Sequence, residues 1–169
     1  YAKSGFDPLV ALETLPQAIA GGAIQVSMWM APHAGQLGTK RTHAEWQAYY
    51  AAAQSYQGVP SAIDKIRNPA LIDAGPGNFK IATAIELVIE HAGKPEYAAL
   101  ELTQYLDNYE KLVYDLMDKE GELTAKLYGL YMKEHAEVFF KKNAAYAGQW
   151  QNLPQTLRDA LLVTYTNRG

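Results

Sequence analysis

Apolar residues recur at helical spacing along most of this chain, and short turn signals separate the runs. Asp7-Pro8 has the form of a helix start, and Leu9, Val10, Leu12 and Leu15 follow before Pro16 ends the run. Gly21-Gly22 marks a turn, and Ala23 to Ala31 is apolar without a clear period. Pro32 to Arg41 reads as a loop. Thr42-His43-Ala44-Glu45 is a capping box, predicting a helix to about Tyr56, where Gly58 and Pro60 break it. Ser61–Arg67 and Pro69–Asp73 read as two short helices.

Ala74 to Gly77 predicts a tight loop, with Asn78 capping a helix through His91. Ile81, Ile85, Val88 and Ile89 fall on one face of that helix. Further amphipathic segments run from Leu102 to Met117 and from Glu122 to Asn143. A last helix starts near Pro154, with Leu157, Leu161 and Leu162 turned inward. The pattern predicts an all-α domain of about seven helices with at most a small β-hairpin. One domain spanning residues 1–169, cut from a larger protein, is expected.

Composition narrows the function. The formal net charge is −3, with no basic block, which argues against nucleic acid as a partner. No apolar run is long enough to predict stable membrane insertion, and no leader pattern stands at Tyr1. The chain has no cysteine, so disulfides and thiolate metal sites are out of reach. Its four histidines form no His-Glu-x-x-His pattern, Gly75-Pro76-Gly77-Asn78 lacks the Lys and Ser/Thr of a phosphate loop, and no Gly-x-Ser-x-Gly elbow occurs. No metal site and no cofactor are expected.

Carboxylates are what remains for chemistry. Glycoside cleavage needs an acid to protonate the leaving oxygen, and apolar surroundings keep such an acid protonated. Glu13 stands between Leu12 and Leu15 beside a helix break. Glu86 lies between Ile85 and Leu87, where the polar face of an amphipathic helix, opposite Ile81 and Ile85, is the better account of it. Glu90 lies at a helix end, before His91-Ala92-Gly93.

The order of several short stretches resembles the goose-type lysozyme and soluble lytic transglycosylase superfamily. In that family a catalytic Glu ends the first long helix, a glycine-to-glutamine segment follows, then an Asn-Ile helix, and finally an Ala-Tyr-Asn-Ala-Gly helix end. Here Glu13, Gly22-Ala23-Ile24-Gln25, Asn78 to Ala84, and either Ala145-Tyr146-Ala147-Gly148 or Thr164 to Gly169 are similar to those pieces in order. The run Tyr146-Ala147-Gly148, Trp150, Arg158-Asp159-Ala160-Leu161 resembles muramidase effectors that bacteria inject through type VI secretion. Departures are Thr14 where the family has Ser, a short spacing from Glu13 to Gly21, and a stretch from Lys94 to Lys142 without a counterpart.

The resemblance implies a lysozyme-like fold and cleavage of peptidoglycan between N-acetylmuramic acid and N-acetylglucosamine, in the periplasm of a target bacterium. Glu13 would be the acid, with Glu90 and Glu86 as lesser candidates. Gln25, Ser27, Tyr146 and Tyr165 would bind substrate, and a cognate immunity protein would be a partner. Two alternatives stay open: a lytic transglycosylase using the same acid, and a non-enzymatic helical binding module of a larger toxin.

Overall fold

In the computed structural model the placed residues are 37–143 and 145–168, and the chain is mainly helical. Eight α-helices and one two-stranded sheet lie among these residues. They fall into two compact units, 37–124 and 125–168.

In the first unit, α1 (His43–Gln54) opens on the predicted capping box. Glu45 N–H donates to Thr42 Oγ1 (3.3 Å), and Thr42 N–H donates to Glu45 Oε2 (2.7 Å). Ser61 and Asp64 repeat the motif at α2 (Ala62–Arg67). A single 3₁₀ turn, Pro69–Leu71, stands where the sequence predicts a helix to Asp73. Asn68 caps that turn, and its Nδ2 donates to the Tyr49 carbonyl of α1 at 2.9 Å.

Strands β1 (Asp73–Ala74) and β2 (Phe79–Lys80) pair antiparallel, Asp73 opposite Lys80 and Ala74 opposite Phe79. This hairpin corrects the role expected of Asn78. Asn78 does not cap a helix; it sits in the turn at φ 52°, a left-handed conformation that Asn tolerates. Helix α3 begins later, at Ile81, and runs to His91. Ile81, Ala84, Ile85, Leu87 and Val88 are buried on it, whereas Ile89 is exposed, contrary to the predicted face.

The segment expected as one helix from Leu102 is broken. A 3₁₀ stretch, Leu102–Tyr105, gives way to α4 (Tyr109–Leu116), because Asn108 restarts the helix by accepting from Lys111 N–H at 3.0 Å. Helices α1, α3 and α4 pack pairwise around Trp46, Ile85, Val88, Leu112 and Leu116.

The helix predicted from Glu122 is continuous to Lys142. It comprises α5 (Glu122–Tyr131), a π-helical turn (Met132–Ala136) and α6 (Glu137–Lys142). In the second unit, a short α7 (Ala147–Trp150) and a long α8 (Gln155–Arg168) follow. Met132, Phe140, Trp150 and Leu162 form its core, with Tyr128, Leu153 and Leu161 packed against them. Leu157, expected inside, is 46 % exposed. It is in the first turn of α8, five residues before Leu162 and so about 140° from it around the helix.

Two substitutions test this packing. Gly75 has φ +73°, and a Cβ there would stand 1.9 Å from the Leu116 carbonyl oxygen. Gly75→Ala is therefore expected to cost roughly 3 kcal/mol, the upper end of the usual range, by urea unfolding. A loss within experimental error would show that the β-turn does not abut α4 this closely. The buried Trp46 indole N–H donates to Glu110 Oε2 at 2.7 Å. Glu110→Ala leaves that donor unpaired and should cost about 1–3 kcal/mol. Glu110→Gln keeps an acceptor and should cost clearly less; equal losses would remove the hydrogen bond from the account.

Candidate functional site

Glu13, Gln25 and Ser27 lie outside the described residues. Of the carboxylates proposed from sequence, Glu86 and Glu90 are described, one turn apart on α3. Glu86 is half-buried and Glu90 exposed. The apolar enclosure that general-acid catalysis asks of a carboxylate is missing at Glu90. Its Oε2 lies 3.5 Å from Nε2 of the buried His91. Lys94 Nζ donates to His91 Nδ1 at 3.2 Å, and Tyr97 meets the imidazole edge-on, with ring centroids 5.1 Å apart.

Tyr50, on α1, faces the same pair of carboxylates. Burial raises the pKa of its phenol most, and the negative charges of Glu86 and then Glu90 raise it further. Its hydroxyl oxygen accepts from Gln54 Nε2 at 2.6 Å, which leaves its own proton to donate. Nearby, the rings of His43 and Tyr109 lie 4.3 Å apart, and burial raises the Tyr109 phenol as well. The first unit thus gathers His43, Tyr50, Glu86, Glu90 and Tyr109 from three packed helices. Such a face can hydrogen-bond hydroxyl-rich ligands. Sequence reasoning missed its aromatic half; the i, i+7 spacing of His43 and Tyr50 was the available signal.

Tyr146 belongs to the second unit. It is 46 % exposed, and its ring lies 5.7 Å from Phe140 and 6.4 Å from Phe139. Phe140 in turn stacks on Trp150, with ring centroids 4.6 Å apart and planes at 7°. The exposed phenol is therefore braced by a buried aromatic layer. Tyr146 is the residue before α7, at the N-terminal end of that helix. Tyr165 is within α8, but its side chain is outside the described residues. Helix α8 packs against the π turn, where the His135 and Tyr131 rings stack at 4.9 Å.

Among the described residues, no group of three or more His, Asp or Glu is arranged to hold a metal ion, and no helix is long and apolar enough to cross a membrane. Comparison with protein families, curated proteins and solved structures gives no match for this chain.

The clearest electrostatic signature is structural. Glu45 is held below its ordinary pKa, first by the Thr42 backbone N–H and then by the Thr42 hydroxyl. Asp64 is lowered by the hydroxyls of Ser61 and Tyr56 and by the Ser61 N–H. Depressed carboxylates stabilise the fold fully above their unfolded-state pKa, and that contribution disappears as pH falls through the folded one. Stability should therefore fall as pH drops below about 4. Glu45→Gln and Asp64→Asn should each lose less between neutral and acid pH than the parent does in urea midpoints. Parallel losses in all three proteins would show that the capping boxes do not carry the effect.

Proposed function

We propose that this chain is a muramidase, cleaving the peptidoglycan strand between N-acetylmuramic acid and N-acetylglucosamine as an effector in the periplasm of a rival bacterium. The observation that carries this reading is the order of the motif stretches along the sequence, from Leu12-Glu13 through Gly22 to Gln25 and Asn78 to Ala84, to Tyr146-Ala147-Gly148. The mainly helical chain, with one small hairpin among the described residues, is compatible with a lysozyme-like frame.

In this reading Glu13 donates a proton to the glycosidic oxygen as the bond to the sugar carbon breaks, and water completes the hydrolysis. Gln25 and Ser27 hydrogen-bond the sugars. The braced, half-exposed Tyr146 suits a stacking role, and Tyr165 is the second aromatic candidate. An immunity protein would protect the producing cell. A transglycosylase would use the same acid, with the muramic acid's own hydroxyl replacing water; its anhydro product is lighter by one water. A second reading, a helical binding module, is favoured by the exposed apolar side chains Val59, Ile63 and Ile66.

Glu13→Gln keeps the shape and removes the acidic proton. Wall clearing by purified protein should fall by about 10²–10⁴-fold, with little change in melting temperature. Glu86→Gln and Glu90→Gln should retain most activity. An active Glu13→Gln beside a dead Glu90→Gln would move the acid to α3. Failure of the parent protein to clear peptidoglycan would leave the binding-module reading in its place.

A further inference from the structure

Helix α2 (Ala62–Arg67) wears its apolar side outward. An amphipathic helix ordinarily turns its charges to water and its aliphatic side chains to the core. Here the charged side is the one tied down. Lys65 is buried, and its Nζ donates to Asp73 Oδ2 at 2.9 Å. Asp64 accepts from the Ser61 N–H and from the hydroxyls of Ser61 and Tyr56. The aliphatic side faces solvent: Ala62 is exposed, Ile63 is 60 % exposed and Ile66 is 54 % exposed. At about 100° of rotation per residue, these three form one stripe about 100° wide.

The loop before the helix extends the pattern. Val59 stands two residues before the Ser61 cap and is 94 % exposed, so almost none of it is covered. A Cβ added at Gly58 would meet nothing within 4 Å. The Gly58-Val59 crest therefore stands clear of the body. Scattered exposed aliphatics are ordinary, but a helix that buries its Lys and exposes its isoleucines is not.

Shape and charge decide what such a face meets. A protein partner needs a pocket matched to the crest, and its contacts centre on aromatic or arginine anchors. The centre of this face is aliphatic throughout. A fluid apolar phase takes up a protruding crest without a matching shape. The exposed charge of α2 is Arg67, about 40° beyond Ile63 around the axis, so the rim of the stripe is cationic. The chain as a whole carries a formal charge of −3 and gains no general attraction to an anionic surface, which leaves a local contact as the route.

We propose that the Val59–Arg67 face docks reversibly on an anionic lipid bilayer. Val59, Ile63 and Ile66 enter the boundary between headgroups and acyl chains, and Arg67 stays among the phosphates. The helix lies on the bilayer and does not span it. The proposal is independent of the muramidase reading, because vesicle binding and wall clearing are separate assays.

The test is co-sedimentation of the whole chain with vesicles of phosphatidylcholine alone and of an equal mixture with phosphatidylglycerol. The chain should sediment with the mixed vesicles, and less with phosphatidylcholine. Val59→Ser and Ile63→Ser should each weaken binding by about 10-fold, as for one aliphatic side chain returned to water. Val59 is so exposed that its substitution spares the fold, which an unchanged melting temperature checks. Arg67→Gln should remove the preference for the anionic mixture and keep the weaker binding. No sedimentation with either vesicle overturns the proposal, as does undiminished binding in Val59→Ser and Ile63→Ser. Self-association in ultracentrifugation that both serine variants abolish, without vesicle binding, would assign the face to a second copy of the chain instead.

Discussion

A tryptophan buried to zero exposure needs an acceptor for its one N–H, and the first unit is arranged around supplying it. The acceptor is Glu110, 64 residues further along the chain. The same carboxylate oxygen accepts the Arg41 backbone N–H at 3.3 Å, and the Arg41 guanidinium lies over the Trp46 and Tyr49 rings at 5.5 and 5.9 Å. One oxygen thus fixes the start of α4 against both the entry to α1 and its first turn. Helix α3, with its buried apolar face, packs on both partners. A second ion pair joins neighbouring elements: the nearly buried Lys65 reaches Asp73 at 2.9 Å and holds α2 to the hairpin. Neither pair needs to be strong in net terms. Each would leave a costly unpaired group if its elements separated, so each makes the alternatives expensive.

Local signals were legible in the sequence because their physics is local. The Thr42 box, the end of α3 before Gly93 and the amphipathic course from Glu122 all follow from residues within one or two turns. The failures share a different cause. Asn78 satisfies the rule for a cap and also the rule for a left-handed turn, and only the pairing of Asp73 with Lys80 decides between them. Asn108 interrupts what the apolar period alone joins, since a good cap can restart a helix inside a periodic run. Glu110 carries no local mark at all; its role exists only because Trp46 is buried beside it.

The candidate site divides in the same way. That Glu86 and Glu90 share a face is arithmetic on a helix. That Tyr50 joins them, with Gln54 oriented on its oxygen, depends on how α1 lies on α3, which no spacing predicts. The result is a polar face whose exposed carboxylate suits hydrogen bonding better than proton donation.

The π turn at Met132–Ala136 has a packing explanation that also bears on function. Met132 and Phe140 are both in the core of the second unit. Eight residues of regular α-helix leave two positions about 80° apart around the axis. A π turn absorbs one extra residue, which returns about 100° of rotation and brings the two side chains to nearly the same face. Both then meet Trp150 and Leu162. The same adjustment changes the direction of every side chain within the turn, His135 among them. Its ring stacks on Tyr131 at 23°, and its Nε2 is buried with no hydrogen-bond partner among the described residues. With Phe140 held in the core, the ring of the half-exposed Tyr146 rests against it at 5.7 Å between centroids.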